Sequence, residues 1–170
     1  MKFVGLNNKN RNNGDTMIIA LDLGKKTGVY IEGDTFAHTV ALGDFPDCFG
    51  NLYKSLTRHI RFDIGEEIDT IVYEEAAFQQ GKAIKYYHGF VGVLHALGYQ
   101  YDVKVLGLPV GTVKRIFTGY GKASKEEVML QCDKAGITYT DNNGADAYAV
   151  YHTYKELFIH KRKLDYYLGD

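Results

Sequence analysis

Cysteine is scarce in this sequence. Its 170 residues include only two cysteines, Cys48 and Cys132, which stand far apart and form no CxxC pair. Disulfide-stapled domains and zinc ribbons both need several cysteines at short spacings. The sequence therefore favours neither class, and we expect the two thiols to be reduced.

Long hydrophobic runs are also missing. No apolar run approaches the ~20 residues that a membrane-spanning helix needs. The N-terminal segment MKFVGLNNKNRNNGD lacks the apolar stretch of a signal peptide. We therefore expect an intracellular protein that does not associate with membranes.

Neither sign of charge dominates, because 20 basic and 21 acidic residues give a formal net charge of −1. This total argues against attraction of the whole surface to nucleic acid, although local fields can differ strongly from the total. Between positions 104 and 134 the basic residues outnumber the acidic ones, which predicts a local positive surface able to bind DNA phosphates. The basic residues there are Lys104, Lys114, Arg115, Lys122, Lys125 and Lys134, against Glu126, Glu127 and Asp133.

The remaining composition predicts one folded domain, residues 17–160, between two tails. Apolar residues make up 45% and charged residues 24% of the chain, as in ordinary globular proteins. Residues 1–16 carry many asparagines and few apolar side chains, so they cannot repay the entropy of ordering and are predicted to be a flexible tail. Residues 161–170 are interpreted as a basic C-terminal tail.

The order of strand and helix patterns predicts an α/β fold. Three short strands with Gly-containing turns indicate an antiparallel meander, after which helical and strand periodicities alternate. One helix begins near Gly81 and is expected to end at Gly98, and Ser124 with Glu127 forms a capping-box pattern. The order β-β-β-α-β-α-β-α predicts a mixed five-stranded sheet flanked by helices, and it resembles the RNase H-like fold.

Three acidic residues stand at the ends of these elements. Asp22 ends the first strand in ALDLG, Glu74 ends the fourth in VYEEA, and Asp146 opens the last helix in NNGAD. Carboxylates brought together there repel one another unless cations neutralise them. Mg²⁺ favours oxygen ligands, and a pair of ions can clamp the attacking and leaving oxygens of phosphodiester hydrolysis. The pattern therefore indicates a metal-dependent hydrolytic centre.

From about residue 17 to residue 158 the sequence resembles the RuvC-type Holliday junction resolvases, particularly the divergent forms carried by phages and prophages. Five segments carry the resemblance through their order, which is more specific than any one of them. They are ALDLGKKTG, IVYEEAAFQQGKA, GFVGVLHALG, LPVGTVKRIFTGYGKASKEEV and DNNGADAYAV.

This resemblance implies an endonuclease that cleaves four-way DNA junctions as a homodimer, in the cytoplasm of a bacterium or of a phage-infected host. It implies that Asp22, Glu74 and Asp146 bind Mg²⁺, or alternatively Mn²⁺, with two ions per subunit. Lys114 and Lys125 would contact phosphate or stabilise the leaving oxyanion. The implied DNA contacts are Phe78, near the family's junction-inserting aromatic, together with Lys82, Lys114, Arg115, Lys122 and Lys125.

Two ligand assignments stay open. Asn143 stands where the family usually has Asp or His, three residues before Asp146. Three possibilities follow for the metal site: the amide oxygen of Asn143 coordinates a metal, Asp141 substitutes for it, or the second ion is bound loosely. A rival interpretation makes Asn143 only the cap of the last helix. Neighbouring strand residues point to opposite faces, so only one of Glu74 and Glu75 can face Asp22, and the spacing favours Glu74.

Other functions fit parts of the sequence. DLGKKTG would suit the phosphate loop of actin-like and sugar-kinase ATPases, but those proteins need two lobes, for which 170 residues are too few. An RNase H-like nuclease acting on RNA or on fork or flap DNA stays open, as does a catalytically weak junction-binding protein. The second helix, with Ala83, Tyr87, Val91 and Leu94 apolar, is either a dimer interface or buried in the monomer.

Overall fold

A mixed sheet with helices on both faces forms the fold. The computed structural model describes residues 17–62, 68–76 and 82–160. The predicted tails, residues 1–16 and 161–170, lie outside these ranges. The strands are β1 (Met17–Asp22), β2 (Lys26–Ile31), β3 (Phe36–Ala41), β4 (Ile68–Glu75), β5 (Lys104–Pro109) and β6 (Thr138–Tyr139). The helices are α1 (Asp47–Phe62), α2 (Lys82–Tyr101), α3 (Val110–Thr118), α4 (Lys125–Lys134) and α5 (Asn142–Tyr154), which continues as a π-helix, Lys155–His160.

The sheet of the described chain has six strands, in the order β5-β4-β1-β2-β3-β6, so the predicted count of five is wrong. The predicted meander is confirmed, since β1, β2 and β3 pair antiparallel, while β4 and β5 are parallel to β1. The additional strand, β6, consists of Thr138 and Tyr139 and pairs in parallel with Phe36 and Ala37. Two residues are too few to show the alternation by which a strand is recognised in sequence.

Alternating side chains along the strands divide the core into two layers. Ile19 and Leu21 of β1 are buried against the face covered by α1 and α2. Ile18 and Ala20 face the opposite way and pack with residues of α3, α4 and α5. Asp22, two positions after Ala20, therefore points towards α5. The next residue, Leu23, points towards α2.

Helix α2 does not end at Gly98 as predicted, but runs on to Tyr101. A Cβ added at Gly98 would lie 2.6 Å from Cγ2 of Val105 and 2.7 Å from the carbonyl oxygen of Val103. Gly98 is therefore needed where the helix passes close to β5 and the segment before it. The turn into β5 is instead made at Asp102, whose φ of 55° is left-handed.

The capping box predicted at the start of α4 is confirmed. Ser124 and Glu127 form the capping box at the start of α4, with hydrogen bonds in both directions between their side chains and backbone amides. Cys48 and Cys132 are both buried and free. No helix within the described ranges is long and apolar enough to cross a membrane.

Candidate active site

The ends of two neighbouring strands place Asp22 and Glu74 side by side. Strands β1 and β4 are parallel and pair Leu21 with Tyr73, so the next residue on each strand is one of the two acids. Both acids continue the strand face that carries Ala20 and Val72, which belong to the layer packed under α5. The two carboxyl groups therefore lie next to each other at the C-terminal ends of β1 and β4, below the start of α5.

Helix α5 can reach these strand ends because two glycines allow a close approach. A Cβ on Gly28 would lie 1.8 Å from the carbonyl oxygen of Asn143, and a Cβ on Gly144 would lie 2.9 Å from that of Ala37. Any side chain at Gly28 would push the first turn of α5 away from β2. The helix then carries Asp146, five residues into its length, into the electrostatic range of Asp22 and Glu74.

Burial disfavours the ionised forms of all three carboxyl groups, and repulsion within the cluster adds to this effect for Asp22 and Glu74. Burial and then repulsion from Asp146 raise the pKa of Asp22 to about 7. Burial and then repulsion from Asp22 and Asp146 raise the pKa of Glu74 to about 8. Burial likewise raises the pKa of Asp146. At neutral pH the cluster therefore holds protons unless other positive charge replaces them.

Two lysines partly offset this negative charge. Lys125, at the start of α4, acts on Asp22 and Asp146, and Lys114 of α3 acts on Glu74 and Asp146. The ammonium group of Lys114 donates a hydrogen bond of 2.7 Å to the carbonyl oxygen of Ala123. With the Asn142 amide turned so that its oxygen accepts, Lys125 donates to it at 3.0 Å. Both predicted lysines thus lie beside the carboxyl cluster.

The structure separates Glu74 from Glu75. Glu75 is exposed on the α2 side of the sheet, where a Cβ added at Gly107 would lie 2.5 Å from its Cγ. It adds to the rise in the pKa of Tyr73, which burial and Tyr87 mainly cause. The alternation along β4 therefore brings Glu74, and not Glu75, to Asp22, as the sequence favoured.

Asp141 caps α5, so the rival interpretation of Asn143 as the cap is wrong. The Asp141 carboxylate accepts hydrogen bonds from the amides of Asn143 and Gly144, at 3.0 Å and 3.3 Å, and from the hydroxyl of Thr39. Burial opposes its ionisation, but these hydrogen bonds hold the pKa of Asp141 below its usual value. The amide nitrogen of the Asn143 side chain lies 3.5 Å from the same carboxylate.

The remaining predicted contacts have mixed placements. Arg115 and Lys122 are exposed on α3 and in the loop before α4. Phe78 and the side chain of Lys82 lie outside the described residues. In α2, Leu94 is buried in the core of the monomer and the partly buried Tyr87 and Val91 pack against that core, whereas Ala83 is exposed.

The acidic cluster has the right donor atoms for a divalent ion. Such ions prefer carboxylate oxygens as ligands, and their positive charge would neutralise the repulsion between the carboxylates. It is not a closed ligand set, however. Among residues 17–62, 68–76 and 82–160, no group of three or more His, Cys, Asp or Glu side chains is arranged to hold a metal. Ligand chemistry and charge therefore fit Mg²⁺, while the side-chain geometry is not that of a bound ion.

The fold is similar to those of Holliday junction resolvases. Thermus thermophilus RuvC matches at 22% identity over 84% of this chain and 96% of that chain, with a TM-score of 0.63. The same protein in complex with a Holliday junction substrate matches at 21% identity over 82% of this chain and 93% of that chain, with a TM-score of 0.61. The yeast mitochondrial Holliday junction resolvase Ydc2 matches at 15% identity over 91% of this chain and 85% of that chain, with a TM-score of 0.59.

The predicted resemblance to RuvC-type resolvases is therefore confirmed at the level of the fold. No protein-family model matches the sequence, and no curated protein matches it. The likeness to phage and prophage forms stays a prediction.

Proposed function

We propose that this protein is an endonuclease that cleaves four-way DNA junctions and depends on divalent metal. The observation that carries the proposal is an electrostatic one: Asp22, Glu74 and Asp146 lie within range of one another near the C-terminal ends of β1 and β4, and Lys114 and Lys125 act on the same carboxyl groups. The resolvase in one of the matched structures holds a Holliday junction substrate. A fold of this kind with this cluster supports phosphodiester hydrolysis.

In the proposed mechanism each side chain of the cluster has a charge-related task. Asp22, Glu74 and Asp146 would hold the cations, for which we propose two Mg²⁺ ions per subunit, with Mn²⁺ as an alternative. When bound there, Mg²⁺ supplies Lewis-acid activation of the phosphate and a more acidic water. Lys125 is exposed beside Asp22 and Asp146, so its ammonium group can bind a phosphate oxygen and stabilise charge on the leaving oxygen.

DNA contacts outside the cluster extend this surface. We propose that the exposed Arg115 and Lys122 bind backbone phosphates next to Lys114 and Lys125, which would position the DNA without reading its sequence. Phe78 and Lys82 are retained as proposed junction contacts. A junction offers two symmetric strands for cleavage, so a two-fold homodimer with one site per subunit suits it.

A comparison of substrates tests the proposal. Purified protein is incubated with a labelled four-way junction, a fork, a flap, linear duplex and an RNA–DNA hybrid, each with Mg²⁺ or with EDTA. We expect paired, symmetric cuts in the junction and only when Mg²⁺ is present. Preferred cleavage of the fork, the flap or the hybrid would make the protein a different RNase H-like nuclease, and tight junction binding without any cleavage would make it a binding protein.

The Asn143→Asp substitution tests whether Asn143 faces the metals. The new carboxylate would add negative charge between Asp141 and Asp146, and a denser set of anionic ligands binds cations more tightly. We expect the Mg²⁺ concentration for half-maximal junction cleavage to fall by about threefold to tenfold, since the added charge acts at close range. A titration of cleavage rate against Mg²⁺ measures this change.

Asp141→Asn is the matched control for that titration, because it removes a charge from the helix cap instead. It should destabilise α5 by about 1 kcal/mol or less, since Asn also caps helices well, and it should raise the Mg²⁺ requirement slightly by lowering the local negative charge. An unchanged midpoint for Asn143→Asp would remove Asn143 from the proposed site.

A further inference from the structure

A cavity of about 570 Å³ opens beside the candidate active site, on the α2 side of the sheet. The turn between β1 and β2 forms one wall, with Leu23 and Lys25, and the first turns of α2 form the other, with Ala83, Tyr86 and Tyr87. The buried ring of Phe90 lies deeper among its lining residues. Neither the carboxyl cluster nor the lysines beside it line this cavity.

The segment that directly follows β1 lines the cavity, and one lining residue, Tyr87, contacts the end of β4. Leu23 directly follows Asp22, so the two α-carbons are only about 3.8 Å apart, while successive strand side chains point to opposite faces of the sheet. The hydroxyl of Tyr87 accepts a hydrogen bond of 3.2 Å from the amide of Ala76 and lies 3.5 Å from the carbonyl oxygen of Glu74. The carboxyl cluster and the cavity thus lie on opposite faces of the sheet at the same end of β1.

The lining combines aromatic rings with a cation. Lys25 lies 5.2 Å from the ring centroid of Tyr86 and pairs with Asp44 at the mouth. Phe45, which is 65% exposed, packs edge-on against Tyr86 with the ring centroids 6.4 Å apart. Aromatic side chains stack on nucleobases of any sequence, and a lysine beside them attracts the phosphate backbone.

We propose that this cavity receives one nucleobase of the DNA substrate, unpaired at the branch point next to the bound phosphate. The inference rests on the proposed nuclease function and adds a second binding subsite to it. The volume exceeds that of a single base, the walls present aromatic surface to it, and the Lys25–Asp44 ion pair stands at the entrance. Stacking in the cavity would offset part of the cost of opening a base pair at the branch.

A cycle of one protein variant and one DNA change tests this subsite. Ala83→Phe places a large side chain at the cavity wall, and abasic nucleotides replace the bases that flank the exchange point of a four-way junction. Binding is measured with the full chain in EDTA, so that the DNA stays uncut. We expect either change alone to weaken binding by about tenfold, as loss of one stacked base does, and both together to weaken it no further than one.

Ala96→Phe is the matched control, because Ala96 is also exposed on α2 but does not line the cavity. It should bind both junctions as the wild type does. Equal affinity of the wild type for the intact and abasic junctions would overturn the inference without any variant. So would additive losses of affinity when Ala83→Phe and the abasic junction are combined, or a loss of affinity in Ala96→Phe equal to that in Ala83→Phe. If the wild type binds the junction no better than duplex, the proposed function itself fails.

Discussion

Asp22→Asn and Asp146→Asn are each expected to lower the rate of junction cleavage by at least about a thousandfold, the equivalent of several kcal/mol of transition-state stabilisation by metal. Each change replaces a carboxylate with an amide of the same size, so it removes ligand charge with little change in packing. Junction binding in EDTA should stay within about threefold of the wild type, because phosphate contacts by the lysines carry it. Single-turnover cleavage at saturating protein separates the two effects.

Glu74 and Glu75 supply the matched pair for this experiment. Glu74→Gln should abolish cleavage as the two aspartate variants do. Glu75→Gln removes the same charge one residue later, on the opposite face of β4, and should leave the rate within about threefold of the wild type. Loss of cleavage in Glu75→Gln together with retention in Glu74→Gln would show that the strand register at the site is wrong.

Asp22→Asn is also expected to stabilise the metal-free protein at neutral pH. The folded-state pKa values of Asp22 and Glu74 lie at about 7 and about 8, above the ordinary values of 3.8 and 4.5. An acid whose pKa is raised by folding contributes most stability below its unfolded pKa, and that contribution falls as pH rises towards the folded pKa. Wild-type stability in EDTA should therefore decline between about pH 4 and pH 8.

Removing one of these acids should remove part of the decline. At pH 8 in EDTA we expect the melting temperature of Asp22→Asn to exceed that of the wild type by roughly 5 °C, the shift expected for one to two kcal/mol in a chain of this length. The difference should shrink as the pH falls and vanish below the ordinary pKa of 3.8, where the Asp22 carboxyl group is protonated in both the folded and the unfolded chain. Added Mg²⁺ should stabilise the wild type more than the variant. A lower melting temperature for Asp22→Asn at pH 8 would contradict the repulsion described here.

These two expectations together describe a site that costs stability in exchange for function. Ala20 and Val72 continue the same strand face as Asp22 and Glu74 but are fully buried in the apolar layer. An apolar side chain at either acidic position would extend that layer. The acids instead concentrate negative charge where α5 packs on the sheet. Functional sites are commonly built in this way at a cost in stability.

The sequence predicted the parts of this site that follow from periodicity. Alternation along β4 shows that only one of Glu74 and Glu75 can face Asp22, and the spacing of the resemblance favoured Glu74 without excluding Glu75. Strand periodicity alone could not place Asp146 near the two strand ends. Helix α5 brings it there only because Gly28 and Gly144 have no side chains, a close approach that only the packed structure reveals. Gly98 illustrates the converse, since a glycine that looks like a helix end is in fact a contact with β5.

Other features had no usable sequence signal. Strand β6 has only two residues and is formed by pairing with β3, so it depends on tertiary structure. The assignment of the α5 cap to Asp141 depended on the exact helix start, which local patterns locate only to within a few residues. The cavity beside α2 combines residues from positions 23–25, 44 and 83–90, which no local pattern connects.

The central claim is that Asp22, Glu74 and Asp146 bind divalent metal together. Crystals grown with Mn²⁺ test it most directly, because anomalous scattering locates the ion and the side chains that bind it. The account predicts anomalous density coordinated by oxygens of all three carboxylates, and its loss in Asp146→Asn crystals soaked in the same solution. Density elsewhere, at Glu75 for example, or no density at the three carboxylates in protein that cleaves junctions would contradict it.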